Sequence, residues 1–306
     1  MDLSNLFSRL IVLFIYIIVG FIAAKVGKLD EDVIKKVNTV LLYIGQPALI
    51  INSVLSNHLD IGIGELGYIF MLAVIMQILL LGISYIFTPI YVREKSQRGL
   101  FKFMTAFGNT GFMGFPVISA LFGDDAIFLA AVFLIPFFLA SYSIGIIQIK
   151  GRESGAKLSF RFLLNPALVA TFVGVVLFFL RLPIPGEIMD ACSGLAGILI
   201  PLSMVAIGAN IGMRKISELW ADWRMYILSL VKLCICPVLM FFICRLFVFN
   251  EIYLGIMVVS SAMPSAVLAS MFATEYGTHI HEASRGVFIT TLLSLFTIPA
   301  VMNILF

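Results

Sequence analysis

The chain has 306 residues, of which 61% are hydrophobic and only 12% charged, and its mean hydropathy is +1.10. A soluble domain carries about a quarter charged residues, so a water-soluble fold is excluded, as are a disordered chain and a small disulfide-stapled secreted domain. The net charge of +3 does not point to nucleic acid, because the basic residues are spread over short loops.

At roughly 20 residues per membrane span plus short loops, the length holds about ten spans. Apolar segments follow in chain order near 6–24, 33–55, 66–88, 100–122, 126–148, 161–181, 187–212, 224–247, 251–273 and 284–306. None alternates at period two. A lipid-exposed backbone must satisfy its own hydrogen bonds, so each segment reads as a helix. The first reads as a retained span and not a cleaved leader: Asp2 offsets Arg9 ahead of the apolar run, and Lys25 and Lys28 follow it.

Loop charge tests this count. The loops after spans 1, 3, 5, 7 and 9 hold 16 of the 20 Lys and Arg, among them Lys35, Arg93, Lys150, Arg214 and Arg285. The opposite loops hold only Arg9, Arg181 and Arg245, while Lys232 lies inside span 8. The positive-inside rule then places the odd loops in the cytoplasm and both termini outside the cell membrane.

The polar stretch 150–160 divides the chain into 1–149 and 161–306, each with five spans. An odd number of spans inverts the second half relative to the first. Pro47 corresponds to Pro201, Gln77 to Lys232, Pro116 to Pro264 and Pro136 to Pro299. Proline is common in membrane helices, so the weight of the repeat falls on spans 4 and 9. The expected fold is an all-α polytopic membrane protein of ten transmembrane helices. They form two inverted five-helix repeats with broken, crossing helices 4 and 9.

Span 4 contains FGNTGFMGFP, residues 107–116, with glycines at 108, 111 and 114. Span 9 contains SSAMPSAVLAS, residues 260–270. Glycine weakens a helix interior and proline breaks it. Helices interrupted at corresponding places in two halves mark the central site of a transporter; the alternative is a pair of packing kinks. New half-helices are expected just after each proline, at Val117 and Ser265. Their free N–H groups carry partial positive charge and favour an anion. Asn109, Thr110 and Ser265 would add side-chain donors. Lys232 lies roughly 13 Å deep at helical rise. It is a functional candidate by depth, the alternative being snorkelling to the cytoplasmic side.

No Asp or Glu falls at mid-depth. A proton relay built on a buried acid and a carboxylate-lined metal pore are therefore not expected, and neither is a cofactor. The four cysteines read as packing residues. His281-Glu282-Ala283-Ser284-Arg285 lacks the second histidine of a zinc motif. No phosphate-binding loop, nucleophile–base pair or metal set argues for an enzyme. Gly208 and Gly212 are expected to mark a close helix contact.

These residues resemble the auxin efflux carrier family in its short prokaryotic form. NTGFMGFP (109–116) and AMPSAVLASMFATEYG (262–277) resemble its two crossing elements. LLNPALV (163–169), PLSMVAIGANIG (201–212) and VKLCICP (231–237) resemble its sixth, seventh and eighth spans. The resemblance implies secondary transport of an organic anion by an elevator movement, dimerisation through a less mobile scaffold, and no nucleic-acid partner. It assigns Asn109, Pro116 and Pro264 to the crossover, Lys232 to a basic position, and adds Asn165. Bacterial relatives point to malate- or malonate-like acids. The long cytoplasmic loop of the plant carriers is absent. A membrane receptor or scaffold that binds a lipid or small molecule is the second reading.

Overall fold

A computed structural model describes residues 3–56, 61–150, 164–180, 184–213 and 222–306. Most of the expected linker 150–160 lies outside them. In chain order the helices are α1 (Leu3–Lys25), α2 (Glu31–Val40), α3 (Gln46–Leu55), α4 (Ile63–Tyr91), α5 (Arg98–Ala106) and α6 (Phe115–Phe122). Then come α7 (Asp125–Ala140), α8 (Ile146–Lys150), α9 (Pro166–Leu180), α10 (Gly186–Gly197) and α11 (Leu199–Met213). The last are α12 (Arg224–Leu230), α13 (Cys236–Cys244), α14 (Glu251–Ala262), α15 (Leu268–Glu275) and α16 (Ile280–Leu305). There is no strand among the described residues, only a single antiparallel bridge between Gly108 and Ser265.

Among the described residues, six helical stretches are long and apolar enough to cross a membrane: Glu31–Leu55, Ile63–Tyr91, Asp125–Lys150, Gly186–Met213, Arg224–Cys244 and Ile280–Leu305. Four shorter apolar helices accompany them, Ile11–Lys25, Thr110–Phe122, Pro166–Leu180 and Glu251–Ala262. Helix α1 shows how one span divides its faces. Ile11, Ile15, Ile18 and Ile22 are exposed, whereas Leu13 and Ile17 are buried. Three- and four-residue spacing keeps each set on one side, the first suited to lipid.

Proline is accommodated by widening the helix. Three π-helical turns, Leu41–Gly45, Thr110–Gly114 and Val231–Ile235, each hand over to an α-helix with Pro47, Pro116 or Pro237 in its first turn. A pyrrolidine ring would meet the carbonyl four residues back. A wider turn moves that carbonyl, and the missing N–H is not needed there. Pro116 therefore does not break span 4, contrary to the sequence expectation of a restart at Val117.

The described chain forms two compact units that do not follow its halves. The first comprises 1–70, 111–135 and 161–214, and the second 71–110, 136–160 and 215–306. In the first, α1 lies along α11 and α3 packs on α9 and α10. The close approach expected at Gly208 and Gly212 is present. A Cβ on Gly208 would run into the carbonyl of Ile17, and one on Gly212 would lie 2.7 Å from that of Phe21. In the second unit α5 packs on α8, α15 and α16, and α13 packs on α14.

Candidate functional site

In the second unit the chain leaves helix α5 at Phe107, whose backbone is extended. It leaves α14 at Met263, also extended. The two unwound segments pair antiparallel. The amide of Asn109 donates to the carbonyl of Pro264 at 2.7 Å, and that of Ala266 donates to Phe107 at 2.9 Å. Backbone groups that leave a helix in an apolar interior must find partners, and here each break satisfies the other. The break in span 4 thus falls at Phe107–Asn109, and the second half of span 9 begins at Leu268, not Ser265.

Ser265 fastens the crossing. Its hydroxyl donates to the Met104 carbonyl at 2.9 Å, and its amide donates to the Thr290 hydroxyl at 3.1 Å. Ser265→Ala is expected to cost about 1 kcal/mol, read as a fall of a few degrees in thermal midpoint in detergent. An unchanged midpoint would show that the hydroxyl is dispensable. Around the crossing, Phe103 packs on Phe107 with ring centroids 4.6 Å apart and on Phe272 at 5.7 Å, and Phe107 packs on Phe137 at 5.6 Å. These contacts fasten α5 to α7 and α15.

Lys232 reaches this point from the π-turn between α12 and α13. It is completely buried, and its Nζ has no hydrogen-bond partner among the described residues. A Cβ added to Gly108 would stand 3.3 Å from that Nζ, 3.1 Å from the Ser260 carbonyl and 3.2 Å from the Met263 Cβ. The absent side chain of Gly108 is what lets Nζ come up to the crossing. The Ser260 hydroxyl is also buried without a partner among the described residues. Burial of an unpaired ammonium costs several kcal/mol. The adjoining helix C-termini return about 2 kcal/mol of this at most. Snorkelling is overturned: the Nζ stays inside.

Residues 6–302 match the family model described as "Membrane transport protein". The chain belongs to this family, the auxin efflux carrier family. It is a multi-pass membrane protein of the short prokaryotic form. It is 28% identical to an "Uncharacterized transporter" of Methanothermobacter thermautotrophicus, over 93% of both chains. An "Uncharacterized transporter" of Methanocaldococcus jannaschii is also 28% identical, over 94% of this chain and 95% of the relative. A "Putative malonate transporter" of Rhizobium meliloti is 23% identical over 94% and 92% respectively.

Sequence-expected site residues of this auxin efflux carrier family member divide between the units. Asn109, Thr110, Lys232, Pro264 and Ser265 lie in the second, and its crossing brings Asn109, Lys232, Pro264 and Ser265 together. Gly111, Gly114, Pro116 and Asn165 lie in the first. Thr110, Gly111 and Gly114 form the π-turn that leads into α6, and Pro116 sits in the first turn of α6. Asn165 is a helix cap, its Oδ1 accepting the amides of Ala167 at 3.0 Å and Leu168 at 3.4 Å.

Two contributors escaped the sequence reading. In the first unit the carboxamide of the buried Gln46 lies against Gly111, where any Cβ would collide with its Nε2. Its only sequence cue was a glutamine beside a mid-span proline. In the second unit Arg224 forms an ion pair with Asp222 at 2.7 Å and also donates to the Gln97 side chain. Burial acts to raise the Asp222 carboxyl, but the Arg224 hydrogen bonds outweigh it and hold that carboxyl below its ordinary value. Gln97 precedes α5, and Arg224 opens α12. Eight residues, about 12 Å of helix, separate Arg224 from Lys232 and Arg98 from Ala106. Helices held together at one end therefore deliver Lys232 and the span 4 break to the same depth.

Proposed function

We propose that the protein is a secondary transporter that moves a small organic anion, a mono- or dicarboxylate, across the cell membrane by elevator-type alternating access. The observation that carries this reading is the fully buried, unpartnered Lys232 ammonium beside the Gly108–Ser265 crossing. A carboxylate placed there gains a charge-assisted hydrogen bond and removes the cost of the lone cation. Asn109, which follows Gly108, and Ser260, whose carbonyl borders it, are candidates for its remaining oxygens. The name of the Rhizobium meliloti relative, malonate transport, supports the acid class.

Ten spans arranged as two inverted repeats, with both termini outside, suit the order of short and long apolar helices and the loop charges. The division into two compact units, each drawn from both halves, is the organisation an elevator requires. The family resemblance supports a homodimer.

The test is counterflow in proteoliposomes with labelled acetate, pyruvate, malate, malonate and indole acetate. Saturable exchange of one acid establishes the carrier. Absence of exchange for every acid, with inserted and folded protein, overturns it and favours a receptor for a neutral or lipid ligand.

A further inference from the structure

We propose that Asp222 and Arg285 are positioning residues for the anion site. With Arg224 and Gln97 they hold the starts of three helices at one level, and so bring Lys232, Thr290 and the break in span 4 together. The inference rests on the carrier reading above for what the site binds.

Helices α5, α12 and α16 pack on one another within the second unit. Their starts meet at the Asp222 carboxylate. Arg224 of α12 donates to it through Nε at 2.9 and 3.1 Å, through Nη2 at 2.7 Å and through its own amide at 3.0 Å. Its remaining nitrogen, Nη1, donates to Gln97, the residue before α5. Arg285 of α16 is the second cation acting on Asp222, and its Nε is buried. Glu282, one turn earlier on α16, acts on Arg224. Charges of both signs therefore tie α16 to α12. The Asp222 side chain is 9% exposed, so salt and water screen these pairs less than they screen surface pairs.

The tie is carried inward by packing. A Cβ on Gly286 would collide with the Met104 sulfur of α5 and stand 3.4 Å from Leu228 of α12. Four residues beyond Gly286 is Thr290, and four beyond Leu228 is Lys232. Residues at that spacing share a helix face, so the faces that meet at Gly286 continue to the site. The Thr290 hydroxyl donates to the Gly286 carbonyl at 2.7 Å and accepts the Ser265 amide at 3.1 Å. The Met104 carbonyl accepts the Ser265 hydroxyl. A slide of α16 or α12 at its start thus displaces Thr290, with Ser265, or Lys232.

The test compares the full-length wild type with Asp222→Asn and Arg285→Gln in proteoliposomes. The probe is labelled malonate, followed by the other acids of the panel. Asparagine keeps an acceptor for the Arg224 amide and removes the charge. In each variant the half-saturating concentration should rise about tenfold, with the maximal rate per inserted protein within about twofold, because a displaced ammonium forfeits ground-state binding. Asp222→Glu retains the charge and should recover most of the wild-type value. Hydrogen exchange reads the crossing without transport. The Asn109, Ser265 and Ala266 amides, all paired in the wild type, should exchange about tenfold faster in both variants.

An unchanged half-saturating concentration with a lower maximal rate and thermal midpoint would show ordinary packing and overturn the positioning role. A rise in Asp222→Asn without one in Arg285→Gln overturns the part assigned to α16. Arg285→Gln leaves the Arg224 pair intact and decides the matter if Asp222→Asn does not insert. No exchange of any acid by the wild type overturns the carrier reading alone. The amides then decide the positioning role, and wild-type protection in both variants overturns it.

Discussion

Lys232→Met is expected to reduce anion exchange by about a hundredfold or more while leaving the protein folded and at least as stable as the wild type. The unbranched methionine replaces most of the lysine stem and removes the charge. A hundredfold loss corresponds to about 2.7 kcal/mol, within the range for deleting one partner of a buried charged pair. Stability moves the other way. Replacing buried charge with well-packed apolar volume is often neutral, or stabilising by about 1–4 kcal/mol. Transport assays and thermal unfolding on the same preparation read both quantities. If Lys232 served only to pack the helix, stability would fall and exchange would persist.

Gly208→Leu should prevent the first unit from assembling. Helix α1 runs so close to α11 that a Cβ at Gly208 would occupy the space of the Ile17 carbonyl. Gly20 meets the Val205 carbonyl in the same way from the other side. The obstruction is backbone, so no rotamer change relieves it. Overpacking of this kind costs about 1–3 kcal/mol and sometimes more, and separating the helices forfeits their dispersion contacts as well. The expected result is a collapse in the monodisperse fraction after detergent extraction. Gly194→Ala on α10 is the control, because a Cβ there meets nothing within 4 Å. It should leave that fraction unchanged or improve it through better helix propensity.

The apolar segments and the two interrupted ones were legible because lipid exposure and backbone satisfaction impose long-range composition on the chain. The burial of Lys232 was legible from its place well inside an apolar segment. The position of the break in span 4 was not. It is fixed by main-chain hydrogen bonds between residues 107–109 and 264–266, which need no particular side chain and leave no pattern. Pro116 misled for the same reason: a π-turn absorbs it. Gln46 was hidden because its contact exists only through the missing side chain of Gly111. Asn165 came from the family resemblance, and its role as the cap of α9 is visible only in the structure. The two compact units could not be read from the halves, because packing partners are chosen by faces and not by proximity along the chain.

The Arg224–Gln97 tie gives the site a ruler. Two struts of matched length run inward from it, and the length of chain between its two ends sets where each one finishes. Their intermediate residues can change identity as long as the helix persists. A one-residue deletion between Arg224 and Lys232 would instead turn Lys232 by about 100° and withdraw it by about 1.5 Å. Drift of this protein should therefore show free exchange of side chains along the struts and strict constancy of their length.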